Sequence, residues 1–405
     1  HYWQPILSDF NGDGWPDIYV VVDFAPNLLW INQKNGTFVE AAASAGLANN
    51  MNDMGVTIGD YDNDGDLDLY ITNIFPIGWN VLYRNDSVGG ALTFTDVSFA
   101  SQVANGDWGW GTTFLDADRD GWIDIAATNG RGNILDPSRF FHNPGASPFV
   151  FSDLSDAVGF NDTYYGCALI AFDFDRDGDL DLVQSRMDGP TRLLENDPVG
   201  AAENYNYLTI RPRMLGPNHW AIGAIVRASA GGVTMMRLIT AGTSCMGQEP
   251  AEAFFGLGSA VVADEISVAW PDGTKTVVAN VTANQVLTIT HGGFGDLDAD
   301  GDIDDADLSL FIGCYSGEAV AYVQDCRAAD VDGDGDVDCD DFRVVKAAFL
   351  ASSGHLPLLT IPEFVSVLVG ETVDPGEACV ADMNADGESD GDDVQPFVAA
   401  ALPPR

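Results

Sequence analysis

Short runs in which apolar and polar residues alternate fill most of the first 291 residues of the chain. Leu67 and Leu69, and again Ile123 and Ile125, are spaced in this way, and turns rich in Gly, Asn and Asp separate the runs. A period of two is typical of strands with one buried face. After residue 292 the apolar spacing becomes that of helices. The pattern therefore predicts a mainly β chain with a small α-helical C-terminal region.

Four copies of one repeat occupy residues 1–199. Each has a loop of the form D-x-[DN]-x-D-G-x-x-D, and the four loops are DFNGDGWPD from Asp9, DYDNDGDLD from Asp60, DADRDGWID from Asp116 and DFDRDGDLD from Asp173. A second motif closes with Asn 23 to 27 residues after the first Asp. The first three copies then add an aromatic strand, GTFVEAA, LTFTDVS or FVFSDLS, which the fourth lacks. Repeats of about 50 to 57 residues with several short strands are typical of β-propeller blades.

The spacing within each loop suits a hard cation. Oxygens at positions 1, 3 and 5 converge, Gly at position 6 permits a sharp turn, position 7 offers a backbone carbonyl, and Asp at position 9 closes the shell. This number of oxygen ligands favours calcium over zinc or magnesium. A solvated acidic hairpin is the alternative for a single copy, and four regular copies argue against it. The predicted ligands are Asp9, Asn11, Asp13, Trp15, Asp17, Asp60, Asp62, Asp64, Asp66, Asp68, Asp116, Asp118, Asp120, Trp122, Asp124, Asp173, Asp175, Asp177, Asp179 and Asp181.

Residues 200–291 lack the loop and form a second predicted domain. Apolar residues alternate between Gly, Asn and Pro-Asp-Gly turns, as in NYNYLTIRPR and EISVAWPDG. This pattern predicts an all-β, β-sandwich-like domain.

Three longer aspartate loops follow, DLDADGDIDDAD from Asp296, DVDGDGDVDCDD from Asp330 and DMNADGESDGDD from Asp382. Each has an acidic residue at position 12 and precedes apolar residues at helical spacing, which is the pattern of an EF-hand-like calcium loop. The helix starts suggest two units, residues 292–352 with two calcium loops and residues 353–405 with one. The predicted ligands are Asp296, Asp298, Asp300, Asp302, Asp304, Asp307, Asp330, Asp332, Asp334, Asp336, Asp338, Asp341, Asp382, Asn384, Asp386, Glu388, Asp390 and Asp393.

The overall charge supports a cation-binding chain. Its formal net charge is -45, yet 46% of its residues are hydrophobic, so we expect a folded acidic protein. Such a charge argues against nucleic acid or an anionic membrane as partner and favours about seven bound Ca²⁺ ions. No apolar run is long enough to span a bilayer. The chain begins with His1 rather than Met, so we expect a processed or incomplete product.

Cysteine usage points to an oxidising compartment. Cys167 and Cys245 stand alone, whereas four cysteines lie in the last third without zinc-type spacing. We expect these four to form disulfides, with free thiols as the alternative. The first pairing that we suggest is Cys314 with Cys326.

Three families are recognisable in these motifs. The loops of residues 1–199 resemble FG-GAP, or VCBS, β-propeller repeats, which implies calcium in the hairpin between the first two strands of each blade. Ile222-Gly223-Ala224, Phe255-Gly256-Leu257-Gly258 and Trp270-Pro271-Asp272-Gly273 resemble the ASPIC and UnbV domain of cartilage acidic protein and related bacterial secreted proteins. The C-terminal loop-helix units resemble dockerin domains, although the Ser-Thr-like pair of known dockerins at positions 10 and 11 is replaced here, for example by Asp305-Ala306.

No catalytic motif is found in the sequence. The five histidines are scattered, neither GxSxG nor HExxH occurs, and the carboxylate clusters are assigned to calcium, so we expect a protein that is not an enzyme. Trp15, Trp108, Trp110 and Trp122 are candidates for stacking on sugars, but Trp in a blade more often belongs to the core.

The leading hypothesis is a secreted, calcium-stabilised adhesion or binding protein at the cell surface or outside the cell. Its dockerin-like tail would bind a protein partner. The alternatives are a structural subunit of an extracellular assembly, which self-associates through an incomplete propeller edge, and a non-catalytic accessory protein of polysaccharide breakdown that binds glycan.

Overall fold

A computed structural model describes most of the first 291 residues and a few positions of the tail. The described residues are 2–74, 79–131, 135–200, 202–214, 217–291, 310, 311, 313, 314, 329 and 337. Contacts divide the chain into two compact units. The first comprises residues 1–209, 222–273 and 278–285, and the second comprises residues 210–221, 274–277 and 286–405.

Each repeat forms its own antiparallel sheet, in which the strands follow one another in chain order. The first three sheets have four strands; the fourth has three among the described residues, as the missing aromatic strand predicts. The strands are β1 (Tyr2–Ser8), β2 (Asp17–Val22), β3 (Leu28–Asn32), β4 (Phe38–Glu40), β5 (Asp53–Gly59), β6 (Asp68–Asn73), β7 (Val81–Asn85), β8 (Phe94–Asp96), β9 (Gly109–Leu115), β10 (Asp124–Asn129), β11 (Arg139–His142), β12 (Ser152–Asp153), β13 (Gly166–Phe172), β14 (Asp181–Arg186) and β15 (Arg192–Leu194), and helix α1 (Ala42–Ala45) follows β4.

The aspartate loops connect the first strand of each sheet to the second. In the second repeat Gly59 pairs with Asp68, and in the third Leu115 pairs with Asp124, so the loop forms the end of a hairpin. The same register holds in the first and fourth repeats. This is the position that the family resemblance implies.

Neighbouring sheets pack face to face through shared apolar clusters. The strands β1, β5, β9 and β13 lie side by side in that order. Phe10 of the first repeat packs against Phe94 of the second at a ring distance of 6.3 Å, and Tyr61 of the second packs against Phe151 of the third at 6.0 Å. The four sheets thus follow one another as propeller blades do, but the described residues do not show a closed propeller.

The residues after the fourth repeat are also mainly β, as expected. A short 3-10 helix (Ala202–Asn204) precedes them, and β18, β17 and β20 form neighbouring strands of one sheet in that order. The strands are β16 (Asn206–Arg213), β17 (Ile225–Ala230), β18 (Val233–Leu238), β19 (Ala253–Gly258), β20 (Val262–Ala269), β21 (Lys275–Thr282) and β22 (Gln285–Thr290).

A segment of this later part, residues 242–249, packs against the first strands of the repeats. The Gln4 side-chain oxygen accepts the backbone N–H groups of Val56 and Cys245, at 2.9 and 2.6 Å. The Leu169 N–H donates to the Ser244 hydroxyl at 2.8 Å. The segment therefore bonds to β1 and β13, and through the Gln4 side chain it is joined to β5, by hydrogen bonds between main-chain N–H groups and side-chain oxygens.

In the second unit, the Arg213 guanidinium lies 4.7 Å from the centre of the Trp220 ring, and the His291 N–H donates to the Arg213 carbonyl. Phe311 is helical and fully buried, in agreement with the helical spacing of the sequence there. Cys314 is disulfide-bonded.

Apart from Val337, which is buried, the three aspartate loops from Asp296, Asp330 and Asp382 lie outside the described residues. Their ligands therefore stay predictions, as does the Cys314–Cys326 pairing. Within the described part of the chain, no helix has the length and apolar character needed to cross a bilayer.

Candidate metal centres

Two residues of every repeat loop have a left-handed backbone. At position 6 the values of φ are 84° to 95°, and all four residues are glycines. Position 4 is left-handed as well, with φ between 52° and 70°, although Asn63, Arg119 and Arg176 occupy it in three loops. A side chain at positive φ is uncommon, and the four loops share this conformation. They therefore have one backbone shape despite their different sequences.

The first aspartate of each loop holds that shape through backbone N–H groups. In the second loop, Asp60 Oδ1 accepts the N–H of Asp64 and Oδ2 accepts the N–H of Gly65, both at 3.1 Å. The first and third loops repeat both bonds, and the fourth repeats the bond to glycine. The N–H at position 7 donates to the position-5 carboxylate in all four loops. Carboxylates at positions 1 and 5 thus hold the turn by accepting backbone N–H groups.

The aspartate at position 9 joins the loop to the second sequence motif. Asp68 Oδ2 accepts the Tyr61 N–H at 3.2 Å, and its Oδ1 accepts the N–H of the closing Asn85 at 2.8 Å. The same pair of bonds occurs at Asp17, Asp124 and Asp181. These four aspartates are almost completely buried. The sequence reveals the repeated Asn but not this role, because its partner is 15 to 19 residues away.

In the third and fourth repeats, the side chain of the closing Asn extends this network to the preceding repeat. Asn143 Nδ2 donates to the carbonyls of Ile123 in its own repeat, at 3.0 Å, and of Tyr61 in the second repeat, at 2.8 Å. Asn196 Nδ2 donates to the Ala117 carbonyl of the third repeat at 2.7 Å. Both acceptors in the preceding repeat are position 2 of its loop. At these two boundaries, the closing Asn therefore joins the aspartate loop of its own repeat to the loop of the repeat before it.

Predicted ligand oxygens converge in three of the loops. In each of the following groups the ligand atoms lie within 4.8 Å of one another: Asp60, Asp62 and Asp68; Asp116, Asp118 and Asp120; Asp173, Asp175 and Asp181. The first loop has Asn11 at position 3, so its acidic residues do not form such a group. Asp64, Asp66 and Asp177 are exposed.

The donor atoms fit a hard cation. The Oδ1 atom is buried and has no hydrogen-bond partner in four aspartates of the loops, Asp62, Asp118, Asp173 and Asp179. A buried carboxylate oxygen without a partner is costly, and a calcium ion satisfies several such oxygens together. The converging oxygens come from positions 1, 3 and 9 in the second and fourth loops and from positions 1, 3 and 5 in the third.

Burial and mutual repulsion raise the pKa values of these carboxyl groups. Burial, followed by the charge of Asp64, raises the pKa of Asp60 to about 7. Burial and Asp118 raise the pKa of Asp120 to about 7, and burial and Asp177 do the same for Asp179. Groups crowded in this way are ionised at low cost only beside a cation.

His142 joins the third loop, which sequence reasoning missed. Its Nδ1 lies 3.1 Å from Asp124 Oδ1 and 3.9 Å from Asp118 Oδ2. The hydrogen bond to Asp124 raises the pKa of His142 to about 9. The other repeats have Ile31, Arg84 or Glu195 at this place. Arg84 pairs with Asp86 instead, so the third loop differs by a histidine that is hydrogen-bonded to its position-9 aspartate.

The later β region covers the third loop. Gly256 donates its N–H to Asp116 Oδ2 at 2.9 Å, and the Gly258 N–H donates to the Arg119 carbonyl at 2.9 Å. The Arg237 side chain donates to the Phe254 carbonyl and lies close enough to Asp116 to be affected by its charge, although burial lowers the pKa of the arginine. The FGLG segment of the sequence thus contacts a metal loop directly.

The four tryptophans do not form one surface. Trp110 is buried and packs edge-on against Trp3 at 6.1 Å, whereas Trp15 is 46% exposed. Trp122 packs against Phe149 at 5.7 Å, and Arg131 lies over Trp108 at 5.1 Å. Most of these rings pack against other protein groups, as expected if these tryptophans belong to the core rather than to a sugar-binding surface.

Comparison with known families matches the three modules in order. The FG-GAP-like repeat matches residues 9–71 and 116–183, ASPIC and UnbV matches residues 215–294, and the dockerin type I domain matches residues 294–350. The chain combines these three kinds of module. Dockerin type I domains bind calcium and dock onto cohesins, and FG-GAP and dockerin modules are typical of extracellular docking or binding proteins.

Curated relatives resemble this chain over 71% of its length. Cartilage acidic protein 1 of Homo sapiens is 29% identical over 303 residues, which cover 71% of this chain and 43% of the relative. The Mus musculus protein of the same name is 28% identical over 302 residues, with coverage of 71% and 44%. The chain thus spans less than half the length of these relatives.

Among solved structures, the V. cholerae biofilm matrix protein Bap1 aligns with 68% of this chain and 48% of its own. The sequence identity is 14% and the TM-score is 0.27, a likeness too weak to support a conclusion.

Proposed function

We propose that the chain is an extracellular, non-catalytic binding protein, in which calcium stabilises the repeats and the dockerin domain attaches the molecule to a protein partner. One observation carries the structural part: carboxylate oxygens converge in three of the repeat loops, and Asp62, Asp118 and Asp173 of these groups each have a buried oxygen without a hydrogen-bond partner. Calcium would be held by Asp and Asn oxygens at positions 1, 3, 5 and 9 and would supply the missing positive charge. Adhesion to a surface is the biological role that we propose for this arrangement.

Thermal unfolding tests the calcium proposal. We expect the melting temperature of the full chain to fall by at least about 5 °C when calcium is removed by a chelator, because a ligand that binds only the folded state stabilises it. Magnesium at the same ionic strength should restore less than calcium, because it retains water and prefers fewer protein ligands. An unchanged melting temperature would contradict the proposal.

A pair of matched variants localises the effect. Asp62→Ala removes one ligand carboxylate from the converging group of the second loop, whereas Asp264→Ala removes one carboxylate from an exposed position on β20. We expect Asp62→Ala to reduce the number of bound calcium ions, measured by elemental analysis, and to shrink the calcium-dependent rise in melting temperature. Asp264→Ala should leave both values as in the wild type. Equal effects of the two variants would assign the calcium response to general charge screening.

Docking is tested separately from metal binding in the repeats. We expect the full chain to bind an immobilised cohesin in calcium and to dissociate when a chelator is added. The absence of a Ser-Thr-like pair at positions 10 and 11 predicts that a cohesin matched to this chain binds more tightly than one taken from another system. If no cohesin binds while the melting temperature still responds to calcium, the docking role fails and the structural role of calcium stands.

A further inference from the structure

The boundary between the third and fourth sheets differs from the other two. At the first boundary, Phe10 at position 2 of the first loop packs against Phe94 of the next outer strand. At the second boundary, Tyr61 at position 2 of the second loop packs against Phe151, which immediately precedes β12. At the third boundary, position 2 is Ala117, and the described fourth sheet has no outer strand. Both members of the aromatic pair are therefore missing at one place.

A cavity of about 440 Å³ occupies that place. Its walls are mostly apolar, and both Ala117 and Asn196 line it. The apolar lining also includes Leu115, Leu154, Phe160, Leu182 and Leu194. This volume is in the usual range of ligand pockets, and an aromatic side chain fits it well.

The register of the complete sheets shows how an added strand would enter this cavity. Phe38 of the first outer strand pairs with the closing Asn32, and Phe94 of the second pairs with Asn85. In the fourth repeat the closing residue is Asn196, which lines the cavity. A strand added in the same register therefore places an aromatic residue opposite Asn196, and its next residue opposite Glu195.

Among the described strands, β15 is the edge of its sheet, and Glu195 follows it directly, so the outer backbone groups there can accept such a strand. In the second repeat, the Val97 N–H donates to the Leu82 carbonyl and the Asp86 N–H donates to the Thr93 carbonyl. Arg84 lies between these bonds and pairs with Thr95, so its own backbone groups face the outer strand. Glu195 occupies the corresponding position in the fourth repeat.

Charge selects the residue that follows the aromatic one. Glu195 is exposed, and it lines the cavity together with Asp197, which is not among the predicted calcium ligands. A cross-strand pair of opposite charges is favourable, whereas two acids directly opposite each other repel. The middle residue of an added strand should therefore be basic.

We propose that the β15 edge and the adjoining cavity form a binding site for an extended segment of a partner protein. The segment adds to the fourth sheet as its outer strand, inserts an aromatic side chain above Ala117, and places a basic side chain opposite Glu195. Main-chain hydrogen bonds supply general affinity, and the cavity and the charge supply specificity.

A labelled peptide tests this site on the full chain in calcium. The probe is LTFKDVS, the outer strand of the second repeat carrying Thr95→Lys, and fluorescence anisotropy measures its affinity. We expect saturable binding, at least tenfold weaker binding when Ala replaces the Phe, and about threefold weaker binding of the unaltered LTFTDVS. Equal affinities of the Phe and Ala peptides, or no binding of LTFKDVS, would overturn the proposal.

Variants of the chain separate the cavity from the edge. Ala117→Phe fills the cavity with a residue that the first and fourth loops already have at position 2, and Glu195→Pro removes the N–H that the added strand needs. Each should weaken LTFKDVS binding at least tenfold while circular dichroism stays unchanged. Glu195→Gln is the matched control: it keeps the N–H and should lose only the preference for Lys over Thr in the peptide.

The calcium response of the melting temperature is expected in all three variants, so failure of the peptide site is distinguishable from failure of the calcium proposal. Unchanged binding by Ala117→Phe contradicts the proposed pocket. Light scattering reports a different occupant: a dimer of the wild-type chain that Glu195→Pro dissociates would show that a second copy fills the edge, and would overturn the proposal of a separate partner.

Discussion

Asn143 shows how much of the repeat depends on single polar side chains. Its N–H is held by Asp124, and its amide group bonds two carbonyls in different repeats. It is fully buried, so no water replaces these partners. Such a residue stabilises the boundary between sheets as effectively as an apolar contact, because an unpaired buried carbonyl is costly.

Replacing this residue should destabilise the whole array. We expect Asn143→Ala to lower the free energy of unfolding by about 2 kcal/mol or more, because the Tyr61 and Ile123 carbonyls lose their donor. Chemical denaturation in calcium measures the change. Asn161→Ala is the control, since the Asn161 side chain is exposed and bonds only an exposed carboxylate, and it should change the value by less than about 0.5 kcal/mol.

Glu249 predicts a pH dependence that is independent of the metal loops. Burial raises its pKa from 4.5 to about 7, although the Thr113 hydroxyl donates to it. The folded state therefore binds this proton more tightly than the unfolded state. Its contribution is full below pH 4.5 and is lost as the pH rises to about 7, by at most about 3 kcal/mol.

The variant Glu249→Gln checks this sign. It keeps an oxygen for the Thr113 hydroxyl but does not ionise, so at pH 8 it should be more stable than the wild type, and at pH 4.5 about equal. Melting temperatures of both proteins across this range in calcium provide the measurement. A wild-type advantage at pH 8 would contradict the predicted direction.

At the residue scale, the sequence predicts the converging aspartates and the glycine at position 6, because ligand chemistry and a tight turn each demand a residue type. It does not predict the left-handed position 4, since Arg119 and Arg176 carry no such preference. Gly12 and Asn63 at that position are the available signal. His142 is also hidden, because a lone histidine in a strand resembles any other.

Among the larger elements, the contact between the FGLG segment and the third loop is close. A methyl group on Gly256 would lie 2.3 Å from both the Asp116 carboxylate and the Arg119 backbone. The rigid loop has little room to move, because the carboxylate also holds Gly121. The glycine is therefore required by space rather than by its own backbone angle.

Gly256→Ala should move the FGLG segment away from the third loop. We expect a loss of about 1–3 kcal/mol in stability and weaker calcium binding in the third loop. Gly273→Ala is a demanding control, because Gly273 has φ of 88° but open space around it, so only backbone strain of about 1 kcal/mol is expected. Isothermal calorimetry with calcium distinguishes the two variants: Gly273→Ala should retain every site. Full calcium binding by Gly256→Ala would show that the contact does not support the loop.

The alternating pattern predicts the sheets and hairpins well, because each strand buries one face against its neighbour. It does not predict the 242–249 segment, whose bonds to Gln4 and Leu169 involve backbone groups and carry no periodic signal. The FGLG motif is visible in the sequence, but its partner is 140 residues away at Asp116.

On the scale of the whole molecule, a net charge of -45 should make metal-free stability depend on salt. Raising sodium chloride from about 10 mM to about 200 mM shortens the Debye length from about 30 Å to less than 10 Å and screens the repulsion. We expect the melting temperature to rise with salt in the chelated protein and to change much less in calcium. A rise of equal size in both conditions would mean that bound calcium does not relieve the repulsion.

Repeats, motif order and acidic character are predictable from the sequence, because they follow from spacing and composition. Closure of the blades into a ring is not, since it depends on how sheets meet rather than on any one repeat. The cavity beside Ala117 is partly predictable. The sequence shows that the fourth repeat lacks an outer strand. Only the structure shows that the place of this strand lies next to a small residue in the preceding loop.

The Asn side chains that cross from one repeat to the next have an evolutionary consequence. Their acceptors are main-chain carbonyls at position 2, which exist whatever the side chain there, whether Tyr61 or Ala117. A duplicated copy of the third or fourth repeat therefore brings its own Asn donor and needs no compensating substitution in the copy before it. Tandem duplication can lengthen such an array one unit at a time, while position 2 remains free to diverge and to turn a packed boundary into a recognition site.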